Sequence, residues 1–185
     1  MTALIRFFRR FALVAGSVAA FAAAPAVQAS GNQLDEDIDA ALAALYASTP
    51  AAKILGDKAT GILVFPNIVK AGFIVGGLGG NGALIKNGKK VAYYNNAAAS
   101  IGLQAGVQSY GFAIFFLDAK TLKDFEKSKG WEIGVGPGVI VVDSGFGKDL
   151  NTLTGKNEVY AFIFDQKGLM AGIGLQGSKI TKLKR

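Results

Sequence analysis

"GLGGNGALIKNGKKVAYYNN", residues 77–96, decides the fold. Its first six residues, Gly77 to Gly82, have the G-x-G-x-x-G spacing that holds the pyrophosphate of a dinucleotide. That chemistry requires a strand before the glycines and a helix opening after them. It also requires an acid about 20 residues on for the ribose. The preceding "AGFIV" (71–75) supplies a strand, but the rest of the context fails. Asn87-Gly88 is a hairpin signal, so the chain turns back before a crossover helix can fit. From residue 58 to residue 117 there is no Asp or Glu at all. No nucleotide site is expected. The glycines are read as points of close backbone approach and bending in a β-rich fold.

Outward from this hairpin the texture stays β. "GILVF" (61–65), "KAGFIVGG" (70–77), "GALIK" (82–86), "KVAYYN" (90–95), "SIGLQAGVQ" (100–108) and "YGFAIFFL" (110–117) read as separate short strands. In "IGLQAGVQ", Ile101, Leu103, Ala105 and Val107 alternate with Gly102, Gln104, Gly106 and Gln108, a period of two. Phe65 and Phe73 are expected in the core. Tyr93 and Tyr94 should point to opposite faces.

Upstream, "NQLDEDIDAALAALYAS" (32–48) places Leu34, Ile38, Leu42 and Leu45 on one helical stripe. A second short helix is expected in "TPAAKILGDK", capped by Thr49, opened by Pro50 and stopped by Gly56. Downstream, "DAKTLKDFEKSKG" is a third helix, with Asp118 as cap, Leu122 and Phe125 facing inward and Gly130 as stop. Strands resume in "WEIGVGPGVIVV", "EVYAFIFD", "GLMAGIGLQ" and "SKITKLK", with a hairpin at Gln166-Lys167-Gly168. The expected fold is therefore α+β: N-terminal helices, then a curved, Gly-rich antiparallel sheet or partly closed barrel with one inserted helix.

The first 29 residues read as a secretory signal: Arg6, Arg9 and Arg10, then the apolar run 11–24, then the small-residue site "VQA" (27–29). Residues 30–185 form one domain. The expected location is periplasmic or secreted, peripheral on a membrane. The chain has no cysteine and no histidine. Disulfides, thiolate chemistry and the commonest base and metal ligand are therefore excluded. The acids around the third helix are read as caps and solvated groups, so no enzyme activity, cofactor or metal site is expected. The loop 143–151 is only loosely like a calcium loop.

The formal net charge is +7, and its distribution is uneven. The acid-free run carries Lys58, Lys70, Lys86, Lys89 and Lys90, and the tail 178–185 is basic without an acid. Such segregation fits an anionic partner.

Four segments, "AKILGDKATGILVFPNIVKAGFIVGGLGGNGALI" (52–85), "IGLQAGVQSYGFAIFF" (101–116), "LKDFEKSKGWEIGVGPG" (122–138) and "GLMAGIGLQGSKIT" (168–181), together resemble the SYLF domain family. This is a lipid-binding domain of bacterial secreted proteins and of eukaryotic actin-patch and phosphoinositide-binding proteins. The resemblance runs from about Ala44 to Leu183. It implies phospholipid binding, and actin binding in eukaryotic members. The combined expectation is non-enzymatic binding of anionic phospholipid. Lys53, Lys58, Lys70, Lys86, Lys89 and Lys90 would meet phosphates, and Phe146 would make an apolar contact. The alternative partner is another envelope protein or an acidic polysaccharide. Nucleic acid and nucleotide are not expected partners.

Overall fold

A computed structural model describes residues 31–132, 139–142, 158–168 and 178–184. The expected signal segment, the loop 143–151 and Phe146 lie outside the described residues.

Helix α1 (Gly31–Ser48) buries Leu34, Ile38 and Leu45, with Leu42 half-buried, as its spacing requires. Helix α2 (Pro50–Lys58) opens on Pro50. Thr49 precedes it, but its side chain makes no capping bond. Its backbone carbonyl accepts from the Ala52 N–H at 2.9 Å instead. Gly56 does not end α2. A side chain there would collide with the Tyr46 ring, so this glycine lets the two helices touch. Helix α3 (Ala119–Lys127) is capped by Asp118, whose carboxylate accepts from the Thr121 N–H at 2.7 Å. That bond, followed by the Thr121 hydroxyl, holds the Asp118 carboxyl below its ordinary range. The helix ends at Ser128, whose hydroxyl donates to the Phe125 carbonyl at 2.8 Å, and not at Gly130.

The six expected short strands are two long ones. Strand β1 spans Gly61–Lys86 and β2 spans Lys89–Phe116. They pair antiparallel from Gly61↔Phe116 to Lys86↔Lys89 through the turn at Asn87 and Gly88, whose φ values are 51° and 72°. The glycines at 76–80 do not break the ladder, because they stay in register with 96–100. They loosen it, and irregularities between Phe65 and Ile68, Phe73 and Val75, and Leu84 and Ile85 bend it.

The remaining strands are short: β3 (Trp131–Glu132), β4 (Val139–Val142), β5 (Val159–Gly168) and β6 (Lys179–Lys182). The second edge of β2 pairs β6 at residues 94–97 and β5 at residues 108–116. β3 adds to β6 antiparallel, and β4 adds to β5 as a parallel pair. Gln166–Gly168 continue β5 and do not form the hairpin turn expected at these residues. The architecture is α+β: N-terminal helices, then a curled sheet with one inserted helix.

The β1–β2 ribbon doubles back on itself. A Cβ on Gly72 would lie 2.6 Å from the Gly76 Cα. One on Gly80 would meet Asn67 and Ile68, and one on Gly82 would meet the Val64 carbonyl and Phe65. The second half of β1 thus lies against its first half, with the bend at 72–76. The absent side chains of Gly80 and Gly82 permit that approach.

Two cores result. Between the ribbon halves lie Leu63, Phe65, Ile68, Leu84, Tyr94, Tyr110, Phe112 and Phe116, closed by Leu122 and Phe125 of α3. Phe125 packs 5.0 Å from both Tyr94 and Phe116 by ring centroids. On the outer face, α1 and α2 cover Ile62, Val64, Ala83, Phe115, Tyr160 and Phe162. Tyr93 packs on this outer side and Tyr94 on the inner, as alternation requires.

Two outcomes follow from this packing. Gly82→Val places a methyl group in the space of the Val64 carbonyl. Overpacking of this kind costs about 1–3 kcal/mol. The melting temperature should fall clearly below the parent's, and an unchanged value would show that the ribbon halves are not in contact here.

The second outcome concerns two tyrosines. Burial, and for Tyr94 also the nearby Glu126 charge, pushes both Tyr94 and Tyr110 up to about 12 from 10.0. The folded state therefore favours neutral phenols. Their contribution is complete below pH 10 and is lost as pH rises through about 12. Urea midpoints at pH 9 and pH 11.5 should differ. Tyr94→Phe with Tyr110→Phe should reduce that difference, and an undiminished difference would assign it elsewhere.

Candidate functional site

The acid-free run of residues 58–117 occupies essentially the whole ribbon, so β1 and β2 carry no carboxylate. Because the ribbon doubles back, its turn at Asn87–Gly88 returns to the end where β1 begins. A Cβ on Gly61 would lie 3.3 Å from the Leu84 side chain. Lys58, at the end of α2, therefore belongs to the same end of the molecule as Lys86, Lys89 and Lys90.

At this lysine end the turn is held from both sides. The Lys90 ammonium pairs with Asp39 of α1 at 2.7 Å. On the opposite face Lys86 pairs with Glu126 of α3 at 3.1 Å. The Tyr93 hydroxyl donates to Asp35 of α1 at 2.8 Å, one helical turn from Asp39. Lys89 is exposed and has no ion-pair partner among the described residues. Val91, beside it at the ladder irregularity, is 50% exposed, and Ile54 of α2 is 39% exposed. Lys58 is exposed in the last turn of α2, where the helix dipole favours a cation. Lys53 is tied to Asp57 four residues on and lies 5.8 Å from the Tyr46 ring centroid.

The structure thus gathers Lys58, Lys86, Lys89 and Lys90, with Lys53 on the same short helix as Lys58. It sets Lys70 apart. Lys70 stands opposite Gln108 on the inner face and is only 9% exposed.

The opposite end is apolar. At the bend, Phe73 is 75% exposed, so the core assignment holds for Phe65 and fails for Phe73. Val75 and Val107 are also largely exposed, and Val69 less so. Ala71 and Ala105 complete the patch, with Ala71↔Val107 and Phe73↔Ala105 in register. The alternation in "AGVQ" (105–108) is inverted relative to a buried apolar face: Val107 points out and Gln108 in. The signal lay downstream. Tyr110, Phe112 and Phe116 share the parity of Gln108 and fill the inner core. α1 reaches Pro66 and Asn67, where a groove of about 500 Å³ separates it from Ser109 and Lys167. Beyond that point no described helix covers the outer face. The groove is flanked by Asp37 and Asp165 and suits an anion poorly.

Three acids around α3 are committed locally. Asp118 caps, Asp124 pairs with Lys120 at 2.8 Å, and Glu126 holds Lys86. Among the described residues no three potential metal ligands cluster. No described helix is long and apolar enough to cross a membrane.

Comparison with known proteins adds one finding. Residues 97–185 match the family model described as Ysc84, Las17-binding protein actin regulator. The match covers the second part of β2, α3 and everything after. No curated protein matches the chain. The matched family, which carries the SYLF domain, is associated with lipid binding and actin regulation. With "IGLQAGVQSYGFAIFF", the α3 segment and the C-terminal strands all inside the matched region, residues 97–185 are similar to the SYLF domain family.

Proposed function

We propose that the chain binds anionic phospholipid at the surface of an envelope membrane, without catalysing a reaction. The observation that carries this reading is the ribbon of two long strands on which every charged side chain is a lysine. Its turn presents Lys89 beside the exposed Val91, with Lys58 and the exposed Ile54 contributed by α2. A flat anionic surface meets cations and a shallow apolar contact together there. Each lysine at such a surface contributes about 1 kcal/mol, screened by salt. Lys86 and Lys90 add to this when headgroup phosphates compete with Glu126 and Asp39. Asp39 is exposed, so the Lys90 pair is open to this competition, whereas the Lys86–Glu126 pair is half-buried and yields less readily. Export through residues 1–29 belongs to the same reading and sets the membrane it meets.

A second reading is favoured by the description of the matched family as a binding protein and actin regulator: an adaptor that holds another protein.

Flotation of the purified chain with vesicles separates the two. Vesicles of phosphatidylcholine with phosphatidylglycerol should carry the protein up the gradient, and pure phosphatidylcholine much less. Binding should weaken as the Debye length shortens from about 10 Å at 0.1 M salt to about 3 Å at 1 M. Lys89→Glu changes the surface charge by two units, about 2 kcal/mol and roughly thirtyfold in affinity. Equal binding to neutral and anionic vesicles, or no binding to either, moves the adaptor reading ahead.

A further inference from the structure

"KITKLK" (179–184) brings lysines from the far end of the sequence to the lysine turn. β6 runs antiparallel to β2, with Ala97↔Lys179 and Tyr94↔Lys182 in register, so it travels toward Asn87–Gly88. The Leu183 N–H donates to the Tyr93 carbonyl at 2.8 Å and keeps the chain on β2 past the end of β6. The next residue, Lys184, is carried toward Ala92, which is two residues from Lys90, or roughly 7 Å along the strand. Directly opposed residues share a face, so Lys182 stands on the side of Tyr94. α3 lies on that side: Phe125 packs 5.0 Å from the Tyr94 ring, Glu126 holds Lys86, and Lys127 follows. From this we infer that Lys182 and Lys184, with Lys127, form a second row of phosphate contacts beside Lys89, so that residues 182–184 face the bilayer. The inference rests on the phospholipid reading above and extends its site to β6 and α3.

Three observations support this surface. First, Lys127, Lys182 and Lys184 are all exposed, and none forms an ion pair among the described residues. β3 pairs β6 only at Ile180 and Lys179, so Lys182 and Lys184 lie beyond that pairing. Second, the acids of α3 are already engaged: Glu126 with Lys86, and Asp124 with Lys120. Cations gathered on two neighbouring strands and a helix repel one another, and an anionic partner relieves that repulsion. Third, the three lysines come from separate elements and none is buried. A small anion needs donors converging on one point, whereas a bilayer offers many phosphates spread over an area. Exposed cations on three neighbouring elements match the second.

Flotation of the full chain with increasing amounts of phosphatidylcholine–phosphatidylglycerol vesicles reads the affinity. Lys182→Gln with Lys184→Gln removes two charges and should weaken binding roughly thirtyfold. Both side chains are exposed, so the melting temperature should stay at the parent's. Lys120→Gln with Lys167→Gln removes the same charge from lysines that pair locally with Asp124 and Asp165, and should weaken binding much less. The chain has no cysteine, so a single introduced thiol can be labelled cleanly. A dye on Lys184→Cys should be quenched by nitroxide lipid in the same vesicles, and this reading decides alone if the double variant melts early. Three results overturn the inference and leave the phospholipid reading intact: Lys182→Gln with Lys184→Gln binding like the parent, the equal-charge control losing as much, or a dye at 184 unquenched while the protein floats. Failure of the parent to float with anionic vesicles removes both.

Discussion

The contact between the two halves of β1 governs the molecule. Strands of 26 and 28 residues are far longer than a small domain can accommodate straight, at roughly 90 Å if fully extended. Their apolar residues can be buried only if the ribbon folds over. Folding over requires a sharp bend and two surfaces thin enough to meet. The bend comes at Gly72 and Gly76, and the thin surface comes from Gly80 and Gly82 against residues 64–68. The inner core, from Leu63 to Phe116, exists because of that approach. α3 then closes the core with Phe125 between Tyr94 and Phe116.

The same constraint arranges the surface. Doubling back carries the Asn87–Gly88 turn to the end where α2 meets β1, and leaves the bend exposed at the other. The turn is steadied by Lys90–Asp39 on one face and Lys86–Glu126 on the other. These pairs connect the ribbon to α1 and α3, whose acids are distant from it in sequence. The two ends therefore differ in chemistry, lysine-rich and apolar, as a consequence of one folding event in a ribbon without carboxylates.

Much of this was readable from local pattern. The Asn-Gly turn, the α1 stripe, the Asp118 cap and the inward Leu122 and Phe125 are properties of a few neighbouring residues. The strand character of Gly77 to Gly82 was equally local: they lie in mid-strand, paired with residues 94–99, and no helix opens after them. Strand number was misread because glycine clusters look like breaks, whereas here they remain hydrogen-bonded to β2 and only bend. Phe73 was misplaced because hydrophobicity alone does not say which face a strand turns to the core. That depends on register with Ala105 and on where the helices stop. The lysines of the turn were found from charge, but their partners Asp39 and Glu126 lie 51 and 40 residues away, beyond any local pattern.

The fold-back can be measured directly. Asn67→Cys and Asn81→Cys, both at exposed positions and labelled with nitroxides, report the distance between the two halves of β1 by pulsed electron resonance. A doubled ribbon brings the backbone of residue 80 against residue 67, and the label separation should be under about 20 Å, little more than the reach of two label side chains added to the spacing of packed β layers. An extended ribbon would separate the same labels by roughly 45 Å at the usual rise per residue. A distance near that value would contradict the folded-over core and, with it, the placement of the lysine turn and the apolar bend at opposite ends.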